Sequence, residues 1–422
     1  MEQKLIKEWL GKNKGNAVKL LRKLIQERSI QGRESSAQAV VVEACRELGL
    51  EIDIWEPDIK EISAHENFVS TRDNFEDSPN VVAIWRGTGG GHSIILNGHI
   101  DVVPEGDMLQ WDCDPYEGKV QDGKVYGRGS TDMKGGNVSL LLAINALKSI
   151  GVKLKGDVIF QSVIEEESGG AGTLAAILRG YSADAVLIPE PTNMKIFPKQ
   201  QGSMWFRLKV KGKSAHGGTR YEGVSALEKS VVVMDKIKEL ETLRNNRVND
   251  PLYKGIPIPL PINLGKIEGG NWPSSVPDLV VLEGRIGVGP EETLEDVKQE
   301  LAASLRSLKE VDTWFETHPV ELEWFGAQWV PGTVEVTHPF VKVIDHAYKE
   351  VVGKSAIVEA SPWGTDGGLF TQLCNIPTVV FGPGTTEVAH YPNEYISIDQ
   401  MMNAAEVIAL VLMDWCGISE EA

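Results

Sequence analysis

The chain has 422 residues, with 42 basic and 60 acidic side chains and a formal net charge of −18. That length exceeds one ordinary core and predicts two domains, and the acid excess argues against nucleic-acid and anionic-membrane partners, which need basic surfaces. Cys45, Cys113, Cys374 and Cys416 form no CxxC pair, and the N-terminus lacks the apolar core of a signal peptide; free thiols in a reducing cytoplasm, with no membrane span, are the expectation.

"IKEWLGKNKGNAVKLLRKLIQ" from Ile6 has the spacing of an amphipathic helix, and residues 36–50 that of a second. "NVVAIWRG" from Asn80 and "HSIILNGHIDVV" from His92 read as strands. "NVSLLLAINALKSIG" from Asn137 is an apolar helix stopped by Gly151. "GDVIFQSVIEEESGG" and "ADAVLIPEPT" are further buried strands, each running out into glutamates. Strands alternating with helices predict an α/β fold: a mostly parallel sheet with helices on both faces.

The pattern changes near Ser203. "SMWFRLKVKGKSAHGG" alternates apolar and polar residues like a half-exposed antiparallel strand. A helix follows from Gly223. Two strand-like stretches, a helix from Pro290 to about Leu308 and a strand near "VELEWF" complete an α+β unit of four strands and two helices. The α/β pattern resumes at "HPFVKVIDHAYKEVVG". The expected organisation is a discontinuous catalytic domain, 1–205 with 328–422, into which a ferredoxin-like domain, 206–327, is inserted.

The chemistry-bearing residues sit at strand ends, where open α/β sheets place their sites. In "SIILNGHIDVVPEG", His99 and Asp101 are two positions apart and so point to the same side of the strand. A metal-bound imidazole usually gives its other N–H to a carboxylate, which suits that pair; a structural histidine is the plainer alternative. Asp132, in the glycine-rich "YGRGSTDMKGG", is either a site residue or a helix cap. Glu165, Glu166 and Glu167 end an apolar strand, where like charges repel unless something binds them or water solvates them. Glu190 ends another strand between two prolines, and His390 lies in a late loop. Two histidines with several carboxylates form a ligand set for zinc, cobalt or manganese, and the histidines disfavour a purely structural calcium site.

"NGHIDVVPEG", "DGKVYGRGSTDMKGG", "EEESGGAGT", "IPEPT", "GKSAHGG", "GTDGG" and "AHYPNEY" occur in this order along nearly the whole chain. In them the sequence resembles the M20 family of metal-dependent aminoacylases and peptidases, which includes acetylornithine deacetylase and succinyl-diaminopimelate desuccinylase. The resemblance implies two divalent ions, most simply zinc, with cobalt or manganese as alternatives. Asp132 would bridge them, His99 and Glu190 would complete one shell, and Glu167 and His390 the other. It also implies a cis peptide at Asp132–Met133, and Asp101 as the catalytic carboxylate behind His99. Glu166 would be the general base that takes a proton from the attacking water and passes it to the leaving amine. Glu165 would be the spare, with a slip of one residue among the three glutamates left open. His216 of the inserted domain would reach the partner subunit's site in a homodimer and stabilise the oxyanion, with a surface histidine in a glycine turn as the alternative. Arg285, in "EGRIG", is a candidate for the substrate carboxylate, with a structural salt bridge as the alternative.

The activity implied is hydrolysis of the amide of a small N-acylated amino acid. A dipeptidase or carboxypeptidase, or a deformylase of an N-formyl aminopyrimidine, is the alternative. A catalytically silent, metal-stabilised binding protein is a rival from another class, disfavoured because Glu166 and His216 are both present. Where many relatives carry arginine in a late TDxR motif, this chain has Gly367 and Gly368, and "PSSVPD" lacks an asparagine often found there. Both departures bear on substrate identity more than on the chemistry.

Overall fold

The computed structural model describes residues 2–420; residues 1 and 421–422 of the expected catalytic domain lie outside them. The chain divides into two compact units. One comprises 1–199, 332–359 and 366–422; the other comprises 200–331 and the short segment 360–365. The second unit thus contains all of 206–327 and extends a few residues beyond it at each end.

The first unit is built on a nine-stranded sheet. Its centre is parallel: Ile94–His99 lies between Val158–Val163 and Val186–Ile188, and Thr378–Val380 continues beyond the latter. Antiparallel strands extend both sides, with Asn80–Trp85 and Glu51–Trp55 on one and Ile196–Gln200 on the other. The central strands are buried on both faces and therefore read as continuous apolar runs. Helices Glu2–Gln26, Gly135–Ser149, Pro339–Val352 and Ile398–Cys416 contribute Leu21, Leu140, Phe340 and Ile408 to one core. The N-terminal helix buries Ile6, Leu10, Ala17, Leu21, Leu24 and Ile25, the stripe its periodicity predicts.

The second unit runs strand, helix, strand, strand, helix, strand. Its antiparallel sheet is ordered Ile262–Gly269, Leu279–Val288, Gly202–Lys211, Glu321–Trp329, which is the split β-α-β arrangement. Helices Ala226–Asn245 and Leu294–Arg306 pack Val233, Ile237, Val297 and Leu301 against Phe206, Leu208, Val280 and Leu282. A capping box sets the start of the second helix at Thr293, three residues beyond the expected Pro290: Thr293 and Asp296 satisfy each other's backbone N–H groups. Among the described residues no helix is long and apolar enough to cross a membrane.

Candidate metal centre

The strand Ile94–His99 delivers His99 at its carboxyl end, fully sequestered from solvent. The Asn137 amide donates to the His99 carbonyl at 2.6 Å. Imidazole Nδ1 lies 2.8 Å from the Asp101 carbonyl oxygen and 3.5 Å from its carboxylate. An Nδ1–H donated to that carbonyl leaves Nε2 as the lone pair available to a cation. The Asp101 carboxylate meanwhile accepts the backbone N–H groups of Glu166 at 3.3 Å and Glu167 at 3.1 Å. Asp101 therefore joins two strand ends as well as backing a histidine.

Asp132 lies in a turn over Ser130–Lys134, and its peptide bond to Met133 is cis. Its Oδ1 is 3.1 Å from His99 Nε2, and its Oδ2 is 3.3 Å from His390 Nε2. Glu190 Oε1 lies 3.5 Å from His99 Nε2, and Glu167 lies 3.1 Å from His390 Nε2. Glu166 Oε2 is 4.0 Å from His99 Nε2. Single donor atoms of His99, Asp132 and Glu167 fall within 4.8 Å of one another, as do those of His99, Glu166 and Glu190. The first helix turn approaches this cluster closely because Gly136 has no side chain: a Cβ there would stand 2.2 Å from the carbonyl oxygen of Pro189, the neighbour of Glu190.

Electrostatics match this crowding. Burial, reinforced by neighbouring carboxylates, pushes Glu166, Glu167 and Glu190 upward. Burial would also raise Asp132, but its hydrogen bonds to His390 and His99 prevail and hold it low. Burial would lower His99, but Glu190 and then Asp101 and Asp132 lift it well above the usual imidazole range. His390, half-exposed, is pushed up to about 11, chiefly by the Glu167 charge. Carboxylates this close and this buried need positive charge among them. Imidazole nitrogens with carboxylate oxygens are donors of the type borderline divalent ions take, and Asp132 turns one oxygen toward each histidine.

Three residues around the cluster carry roles that no motif announced. Glu394 Oε1 accepts the N–H groups of Thr131 and Asp132 at 2.9 and 3.2 Å, while its Oε2 accepts from the buried Arg128 at 2.6 Å. Asp366 is buried, and burial pushes its carboxyl up to about 7. Its Oδ2 accepts from Thr173 at 2.6 Å, and its Oδ1 has no hydrogen-bond partner among the described residues. "AHYPNEY", "YGRGSTD" and "GTDGG" contain these residues, but spacing alone gives them no task.

His216 and Arg285 belong to the second unit. His216 is exposed, and its Nδ1 accepts the Gly218 N–H at 3.1 Å. Arg285 is half-buried opposite Asn263 and Trp205 in the sheet. Burial lowers its guanidinium, and among the described residues no carboxylate pairs with it.

Histidine and carboxylates able to hold a metal ion converge at the strand ends of the mixed sheet, and with the family and relatives the sequence matches they make the chain a metal-dependent hydrolase of amides. The chain belongs to Peptidase family M20/M25/M40, whose sequence profile matches residues 95–414. N-formyl-4-amino-5-aminomethyl-2-methylpyrimidine deformylase of Halalkalibacterium halodurans is 31% identical over 405 residues, covering 90% of this chain and 89% of its own. Acetylornithine deacetylase of Shigella sonnei is 29% identical over 345 residues, covering 80% and 83%. Among solved structures, human carnosine dipeptidase 1 shares the fold with a TM-score of 0.76 at 16% identity, covering 98% of this chain and 99% of its own.

Proposed function

We propose that this protein hydrolyses the amide of a small N-acylated amine with two divalent cations, and that an N-formyl aminomethylpyrimidine is its first candidate substrate. The observation that carries the two-ion reading is Asp132, whose two carboxylate oxygens face two different histidines. His99, Glu190 and Asp132 would hold one ion, and His390, Glu167 and Asp132 the other. Such a pair of cations lowers the proton affinity of water and polarises an amide carbonyl.

The chain's own residues do the rest. Glu166 is adjacent to the ligand Glu167, and burial raises its carboxyl above the usual range, which makes its carboxylate a stronger base toward the attacking water. It takes the proton as water oxygen bonds to the carbonyl carbon, and gives it to nitrogen as the C–N bond breaks. Acid and amine leave. His216 Nδ1 accepts a backbone N–H, which places a ring proton on Nε2 as a donor for the oxyanion. We assign it to a homodimer formed through the inserted unit, in which it serves the partner copy's site.

Support for the pyrimidine substrate is the 31% identity to a formyl-pyrimidine deformylase across 90% of the chain. One observation favours a second reading, an N-acyl amino acid: Arg285 is a guanidinium without a carboxylate partner among the described residues. A panel of the formylated aminomethylpyrimidine, N-acetylornithine, N-succinyl-diaminopimelate and dipeptides, assayed with zinc and with cobalt, decides between them. Turnover of the formyl compound at least tenfold above the others supports the first reading; preference for an N-acyl amino acid, lost in Arg285→Ala, supports the second. No hydrolysis of any amide with either metal refutes both.

A further inference from the structure

Glu165 is the first of three consecutive glutamates, yet its carboxylate stands apart from the cluster the other two join. It is fully buried, and its backbone has φ +64°, a left-handed conformation that a non-glycine residue keeps only where its surroundings impose it. Four side chains impose it. Arg72 Nη1 donates to Oε1 at 3.2 Å; Ser70 Oγ, Gln31 Nε2 and Ser168 Oγ donate to Oε2 at 2.9, 3.1 and 3.1 Å. Arg72 also donates to Ser78 Oγ at 2.9 Å and lies 3.6 Å from the buried carboxylate of Glu34, which in turn accepts from Ser78 at 2.6 Å. One guanidinium thus bridges two carboxylates with no solvent exposure, each costly to bury without it.

The turn that follows is held from both ends. Asp101 grips the N–H groups of Glu166 and Glu167, and the Arg72 network grips Glu165, the residue just before them. With the first glutamate turned away and locked, the next two face the histidines.

We propose that Arg72 is a positioning residue: by anchoring Glu165 it fixes the turn that aims Glu166 and Glu167 into the metal cluster. A displacement of about 1 Å in such groups is enough to lower turnover by roughly a hundredfold. The kinetic part of this inference rests on the amidohydrolase reading; the metal-binding part does not.

The test uses the full chain with Arg72→Gln and Arg72→Lys. Zinc and cobalt are titrated by calorimetry into metal-stripped protein, the visible spectrum of the cobalt form is recorded, and kcat and KM are measured on whichever amide is turned over. Arg72→Gln is expected to weaken the weaker of two ion sites about tenfold or more, to change the cobalt spectrum, and to lower kcat about 10- to 100-fold with KM within about threefold. Arg72→Lys, which keeps the charge but loses the fork, should recover part of each loss. If Arg72→Gln does not fold, Ser70→Ala removes one donor to Glu165 without stranding a charge, and a smaller loss in the same direction is expected. Unchanged ion affinity, spectrum and kcat in a folded variant, whatever its melting temperature, overturn the proposal. Metal effects without any amide turnover would refute the hydrolase reading and leave the positioning role standing.

Discussion

His99 Nε2 lies 3.1 Å from Asp132 Oδ1, and the second oxygen of the same carboxylate faces His390 at 3.3 Å. One short acidic side chain therefore ties together residues from a central strand and a loop about 290 positions later in the chain. If it bridges two ions, its loss should empty both sites together. Chelation should abolish amide hydrolysis and added zinc or cobalt restore it, while Asp132→Ala should bind less than one ion per chain by atomic absorption. Two ions per chain in that variant would contradict the bridging role.

Glu166 and its neighbours can be told apart by the same kind of measurement. Glu166→Gln should keep both ions yet lose about 10²- to 10⁴-fold in kcat, the range for a missing general base. Glu167→Gln should lose an ion. Wild-type turnover in Glu166→Gln would remove it from the base role.

The buried pair Arg128–Glu394 also makes a stability prediction. Glu394→Ala strands a guanidinium that is 2% exposed and frees the N–H groups of Thr131 and Asp132. Breaking one half of such a pair costs about 3–5 kcal/mol. Urea unfolding of the metal-stripped variant should show a loss in that range; a loss near zero would mean that water reaches Arg128 in the folded chain.

Glu34 supplies a pH dependence. Burial outweighs its hydrogen bond from Ser78 and pushes its carboxyl from 4.5 up to about 7. The folded chain thus binds this proton more tightly than the unfolded chain. The resulting stability is complete below about pH 4.5 and is lost as pH rises through about 7, a loss of roughly 3 kcal/mol. Glu34→Gln should flatten the decline in unfolding free energy between about pH 5 and 8. Parallel profiles for the two proteins would exclude Glu34 as its source.

The α/β pattern, the change of character near Ser203 and the residue types of the candidate metal centre were all legible in the sequence, because periodicity and strand-end acids are local signals. Three-residue strands such as Lys119–Gln121 and Lys124–Tyr126 were not, being too short to show a period. The segment 360–365 joins the second unit although its neighbours belong to the first, a matter of packing that local composition does not encode.

By itself the sequence determined which side chains are available: two histidines, an aspartate and a run of glutamates at apolar strand ends. Only the tertiary structure decided their division of labour. Glu165, Glu166 and Glu167 are chemically identical and consecutive, and what separates them is a backbone turn with φ +64° and the distant residues each one meets: Arg72 for the first, His99 for the second, His390 for the third. Burial and charge act through space, so residues adjacent in the chain acquire different partners only once the fold has placed the rest of the molecule around them.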